Sequence, residues 1–431
     1  MILIYVENIT PRIKYIFDLV FIDILKTSYS ITDIKNLFIN SQGIKFNYSK
    51  AKFNDELFVY ATDLLFQTYI EKQEIEVTDW NGLKIFFQTN TESDLPFDIF
   101  AASFYLVTRY EEYLSFVTDE HKRFKASDSL AFIHNFLKEP IVNKWVEKFS
   151  ELLITKYPEL HLPKRTPRFI PTIDVDNAFY FKNKGLVRTI GSSIKSFFNL
   201  KKNIDRFKVI FGLKKDPFDN FNLLKKIHLN FNPVYFFLIG KKSSHDKNIS
   251  IKNKKYRKLI SSFANENSVG IHPSYSSFDN FNILKKEVSV LSKIINKPII
   301  RSRNHFLRLK FPETYQSLID LNIKEDYTMG YSSQIGFRAG ICTPFIFYDL
   351  TKEEITNLKV FPFALMDVTF IRSLKLTPEQ ALFEIKKIIA EIKNVNGTFI
   401  SLWHNETFSN INEYKGWQFT YLEMIRFFEN Y

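Results

Sequence analysis

The stretch RFIPTIDVD, residues 168–176, decides the fold. Its apolar residues read as a short strand, and it ends in two carboxylates, Asp174 and Asp176, placed two apart. On a regular strand that spacing turns both side chains to one face. Two adjacent carboxylates repel, so one of them needs a cation or a proton. A divalent metal on one and a general base in the other satisfies that need; a turn or a helix cap is the plainer alternative, since Asp is a common cap residue.

Downstream, apolar runs of the same kind recur in PVYFFLIG (233–240), SVGIHP (268–273), KPIIRSRNHF (297–306), FPFALMDVTF (361–370) and GTFISLWHNE (397–406). Helical periodicity separates several of them, at 220–229, 256–266, 281–295, 313–321 and 378–393. Strands alternating with helices predict parallel βα units. Functional residues of a barrel gather at the carboxyl ends of its strands. Three of the eight histidines, His272, His305 and His404, stand at or just past such ends, together with Asp174, Asp176, Arg303 and Asp367. The other five do not: His121, His161 and His245 fall in polar loops, His134 and His228 in helices.

The chain has 431 residues, too many for one ordinary core, and the pattern divides near residue 165. Residues 1–165 read as a smaller α/β domain, with a strand at 83–89, helices at 98–114 and 140–157, and a proline-punctuated linker at 157–167. Residues 166–431 form the second domain, with a basic insertion at 181–215. The insertion carries ten Lys or Arg against one acid, Asp205, interleaved with Leu, Ile and Phe. It reads as a basic amphipathic helical hairpin, either a solvated cover or a contact for anionic lipid.

Apolar residues at 45% and charged residues at 25% exclude a disordered chain. A single cysteine, Cys342, excludes an internal disulfide, fits a reducing compartment and reads as a small buried hydrophobe. No apolar run of about 18 residues occurs, so no membrane span is expected. The start, with no basic n-region or cleavage site, does not read as a secretory signal. The expected location is cytoplasmic, including the inner face of a membrane. The net charge of +12 favours anionic surroundings, but no helix-turn-helix spacing, zinc-finger cysteines or RNA-recognition motif is present, so no specific nucleic-acid partner is expected.

His272 is a metal ligand beside Asp176 or a histidine bonded in a turn. His404 is a general acid or a histidine packed beside Trp403. Arg303 has the chemistry to hold a carboxylate by a bidentate pair, with His305 two residues on and on the same face, or is a plain surface arginine. In DYTMGYSSQIGFRAG (326–340), Tyr327, Tyr331 and Arg338 either line a substrate groove or order the loop. Tyr275 and Trp403, beside the two histidine motifs, join the candidate substrate contacts.

From about residue 168 onward the order of these motifs resembles the polysaccharide deacetylases (NodB homology domain, carbohydrate esterase family four). TIDVD is similar to that family's Asp-x-Asp motif, HPSYS to its His-Ser/Thr-x-x-His motif, RSRNHF to its arginine motif and SLWHN to its terminal Leu-x-His motif. The resemblance implies a distorted (β/α)7 barrel in the α/β class, preceded by the smaller N-terminal α/β domain. It implies Asp174 as base, Asp176 and His272 as ligands of a divalent metal, Zn2+ by family habit, Arg303 as the residue orienting the base, and His404 as acid. The implied reaction is hydrolysis of an N- or O-acetyl group on a polysaccharide or lipid-linked sugar. One position departs: Ser276 stands where the family has its second metal histidine. Either His305 supplies that nitrogen from the neighbouring strand, or the site binds metal weakly or not at all. The second outcome describes a catalytically inactive carbohydrate-binding protein on a deacetylase scaffold. The N-terminal FDIFAASFYLVTRYEEY (97–113) resembles only an uncharacterised domain that can precede such domains, and implies no chemistry.

Overall fold

The computed structural model describes residues 1–183 and 200–430. Four parallel strands open the chain: β1 (Ile2–Val6), β2 (Tyr29–Thr32), β3 (Lys45–Ser49) and β4 (Leu57–Tyr60), in the order β2-β1-β3-β4. Helix Pro11–Phe17 starts where Thr10 caps Ile13 and proline occupies the first turn, the position at which its missing N–H costs nothing. Helix Ile99–Val107 is buried along its whole length and is capped by Asp98, whose carboxylate accepts from the Phe100 and Ala101 amides. The expected helix at 140–157 is Ile141–Lys156. The expected strand at 83–89 shrinks to β6 (Leu83–Ile85), paired antiparallel with β5 (Thr78–Trp80).

The larger sheet has nine strands: β7 (Arg168–Val175), β8 (Val234–Leu238), β9 (Ser268–His272), β10 (Arg301–Ser302), β11 (Glu325–Asp326), β12 (Phe345–Asp349), β13 (Glu354–Val360), β14 (Leu365–Met366) and β15 (Thr398–His404). Their order is β12-β13-β11-β10-β9-β8-β7-β15-β14, parallel throughout except for the edge strand β12. The wholly buried VYFFL of β8 is what a parallel strand covered on both faces requires. Connecting helices Phe221–Ile227, Lys254–Glu266, Phe281–Ile295, Glu313–Asp320 and Pro378–Asn394 lie where the periodicity placed them. A full capping box at Thr377 and Gln380 starts the last of these.

The mixed α/β class with a large parallel sheet is observed. Among the described residues no ladder joins β13 to β14, so hydrogen bonds do not close the sheet into a barrel. The chain itself crosses that gap: the Phe361 amide donates to the Asp326 carbonyl and the Ala364 amide to the Ile400 carbonyl. A small inner core of Val234, Phe236, Leu307, Tyr327, Phe363, Met366, Ile400 and Leu402 joins β8, β14 and β15 to the segments that follow β10, β11 and β13.

The two sheets share one continuous apolar core. Polar contacts reinforce the junction: buried Arg12 pairs with Glu353, and the Tyr15 hydroxyl donates to the Ile346 carbonyl at 2.7 Å. Of the basic insertion, residues 184–199 lie outside the described residues; the remainder includes helix Leu200–Ile210. No helix among the described residues is long and apolar enough to cross a membrane.

Candidate metal and acid–base site

Parallel strands deliver their carboxyl ends to one rim, and the register sets who meets whom. Asp174 lies opposite His404 across the β7–β15 pair and opposite Phe236 on β8; Leu238 then lies opposite His272, and Ile271 opposite Ser302. Gly270 permits this packing on β9, because a Cβ there would stand 2.5 Å from the Phe236 ring and 2.9 Å from the Arg301 carbonyl.

Three side chains converge on one point. His272 Nε2 is 3.3 Å from Asp176 Oδ1, and His305 Nε2 is 3.4 Å from Asp176 Oδ2. Donor atoms of all three lie within 4.8 Å of one another. The far nitrogen of each ring decides the tautomer. His272 Nδ1 faces the Arg303 carbonyl, which only accepts, so Nδ1 carries the proton and Nε2 is left bare. His305 Nδ1 donates to buried Asp246 at 2.9 Å, which leaves Nε2 as the nitrogen facing Asp176. A histidine fixed from behind by a carboxylate or carbonyl is the arrangement that metal-ligating histidines use. Asp176 Oδ1 is buried and accepts no hydrogen bond, an orphan that an ion would satisfy. The residues present therefore fit a divalent cation with nitrogen and oxygen ligands.

The electrostatics favour the same group. Asp174, Asp176, Asp246 and Asp367 face one guanidinium, Arg303, and three imidazoles. Burial opposes charge on Asp176, but His305 and His272 outweigh it and hold the carboxyl well below its usual range. Burial likewise opposes charge on His305, yet Asp176 and Asp246 raise it to about 9. A site that holds a proton this firmly when metal-free releases it when a cation binds.

Beside this cluster stand the acid–base candidates. Buried Asp174 accepts from Arg303 Nη1 at 2.9 Å, and its second oxygen lies 3.7 Å from His272 Nε2. Arg303 is itself fully buried, donates from Nε to the Tyr327 carbonyl and lies over the Phe236 ring at 4.6 Å. His404 Nδ1 donates to Asp367 at 2.7 Å, which aims Nε2 at Asp176 Oδ2, 3.9 Å away. Burial would lower the His404 pKa, but Asp367, with Asp176 and Asp174 behind it, raises it to about 10. Asp174, Asp176, His272, His305 and His404 all line one cavity of about 620 Å3, and Arg303 supports Asp174 from behind.

The candidate substrate contacts fall elsewhere. Trp403 neighbours His404 on a strand, so it points to the opposite face, fully buried against Tyr421. Tyr327 is buried below the site, its hydroxyl donating to Glu325. Tyr275 stacks on His245 at 3.9 Å near the rim. Tyr331 and Arg338 line a second, adjoining cavity. Ser276 is exposed and outside the cavity lining. Three site residues are missed by the sequence pattern. Asp246, in the polar run KKSSHDKN, carries no periodic signal, and His121 and His245, which line the cavity, lie in equally featureless polar loops.

The N-terminal part of the chain takes part in the site. Phe306 and Leu307 adopt left-handed backbone at φ 62° and 55°, strained for such residues by about 1–3 kcal/mol each. Arg123 Nη1 clamps this turn through the Phe306 carbonyl at 2.8 Å, while Arg308 Nε returns a bond to the His121 carbonyl at 2.8 Å. The clamped turn follows His305 directly. Arg123→Ala is expected to weaken Zn2+ affinity about 10-fold, toward the lower end of outer-shell effects; competition with a chromophoric chelator measures it, and unchanged affinity refutes the clamp.

Residues 2–158 match a family of unknown function, DUF7033. Among curated proteins the chain has no match. Among solved structures it is similar to a candidate polysaccharide deacetylase from Mycobacterium smegmatis, at 15% identity over 62% of this chain and 85% of that one, TM-score 0.40. A polysaccharide deacetylase from Bacillus cereus is similar at 12% identity over 61% and 88%, TM-score 0.30. Puue allantoinase is similar at 8% identity over 62% and 88%, TM-score 0.39.

Proposed function

We propose that the chain is a metal-dependent hydrolase that removes an acetyl group, N- or O-linked, from a polysaccharide or lipid-linked sugar, on a curled barrel-type sheet. The observation that carries this reading is the convergence of Asp176, His272 and His305, flanked by Asp174 on Arg303 and His404 on Asp367. Asp176, His272 and His305 would hold the ion, Zn2+ by ligand chemistry. A divalent ion there supplies Lewis-acid polarisation of the acetyl carbonyl and lowers the pKa of a water.

The protein's own groups do the rest. Asp174, oriented by Arg303, accepts a proton as the water oxygen bonds to the carbonyl carbon. His404, whose proton Asp367 stabilises, gives its Nε2 proton to the leaving nitrogen or oxygen as the acyl bond breaks. Acetate and the free amine or alcohol are the products. Because the acid form of His404 is required, activity falls as pH rises through its pKa. Asp367→Asn removes the carboxylate that raises that pKa, so the alkaline limb of kcat/KM is expected to move to lower pH; a limb that stays in place assigns the acid role elsewhere.

The rival reading, a non-catalytic carbohydrate-binding protein, takes its support from Ser276; His305, 3.4 Å from Asp176, weighs against it. Acetate release from acetylated glycans by the zinc-loaded protein, abolished by a chelator, is the deciding experiment. Glycan binding without any release selects the rival.

Contact with an anionic membrane surface through 181–215 is part of the proposal. Helix Leu200–Ile210 and the residues after it expose Ile204, Phe207, Ile210, Phe211 and Leu213 beside Lys208, Lys214 and Lys215, the mixture an interfacial helix uses.

A further inference from the structure

A second cavity, of about 330 Å3, adjoins the site and shares Arg123, Leu307 and Ser332 with it. One wall comes from the N-terminal part of the chain, with Lys125 and Ser127, and the other from the loop carrying Ser333 and Gln334. Its floor is rigid. Arg338 Nε and Nη2 both bond to Glu112, Arg109 Nε bonds to the same carboxylate, and Arg109 Nη2 donates to the Tyr331 hydroxyl at 3.0 Å. These buried charges are mutually satisfied, so the floor holds its shape without a ligand.

The rim is different. Lys125 Nζ, the Ser332 and Ser333 hydroxyls and the Gln334 amide have no protein partner among the described residues, and stand around apolar Leu307 and Phe124. Unpaired donors and acceptors over an apolar, aromatic wall, on a preformed floor, are the makings of a small-molecule site, and match a sugar ring with its hydroxyl edge and apolar face. The two cavities share lining residues, so they are direct neighbours.

We propose that this cavity is a second sugar subsite, built jointly by the N-terminal part of the chain and the loop at 330–334, and that the ligand is therefore a glycan of at least two units. The inference rests on the reading of the first cavity as the place where the acetyl-sugar binds. The N-terminal region then serves to select chain over monosaccharide.

Calorimetry on the full chain with chelator present reads binding alone, using triacetylchitotriose against N-acetylglucosamine and O-acetylated xylotriose against O-acetylated xylose. At least one trisaccharide is expected to bind about tenfold or more tighter than its monosaccharide. The Lys125→Ala/Gln334→Ala variant is expected to lose that advantage. Equal affinities for both pairs, no binding of either trisaccharide, or an advantage that survives in the variant overturns the subsite. Adding zinc to the same samples separates the two ideas. A chain-length advantage without acetate release sinks the hydrolase and leaves the subsite; release without the advantage does the reverse.

Discussion

Asp174→Asn is expected to lower kcat for acetate release by about 10²–10⁴-fold, the span general-base catalysis supplies, while leaving Zn2+ affinity near its starting value. The asymmetry follows from the geometry. Asp174 is bound to Arg303 and is not among the three convergent ligands, so its loss removes the proton acceptor without dismantling the ion's cradle. Asparagine keeps an oxygen for Arg303 and nearly the same volume, so the fold is expected to survive; circular dichroism and a thermal melt check this. Steady-state kinetics with metal titration in parallel makes the comparison. Undiminished turnover would remove Asp174 from the chemistry, and a parallel loss of metal would make it a ligand.

The second large effect concerns His305. His305→Ala deletes one of two nitrogen ligands and leaves Asp246 buried with its main partner gone. Zn2+ affinity is expected to fall on the order of 100-fold or more, at least the top of the outer-shell range. Ser276→His should restore nothing, since Ser276 is exposed and outside the cavity lining. The double variant Ser276→His/His305→Ala therefore separates two accounts of one sequence departure. If the new histidine recovered affinity, the ion would sit where the motif order alone would put it, and the assignment to His305 would fail.

Much of this site is legible in the sequence because strand ends are legible. TIDVD, SVGIH and SLWH end three buried parallel strands, and Asp174, His272 and His404 stand at their last positions or one before. Strand parity separates neighbours as well: Trp403, one residue from His404, has to face the opposite side, where it packs into the core rather than against a substrate. Residues 297–306 and 361–370 promise longer strands than form. Only Arg301–Ser302 and Leu365–Met366 are paired, because the chain leaves the ladder there to place Arg303, His305 and Asp367. Asp246 carries no periodic signal, and its place at the site depends on tertiary contacts with His305 and Tyr275. The edge hairpin of β12 and β13 and the clamp from Arg123 belong to the same class: contacts between distant segments leave no local periodicity.

Anomalous diffraction at the zinc edge from crystals of the zinc-loaded protein reads the ligand set itself. One strong peak is expected within bonding distance of Asp176, His272 Nε2 and His305 Nε2, with His404 and Asp174 unbound. A peak bounded by other residues, or no peak at that carboxylate, would contradict this ligand set.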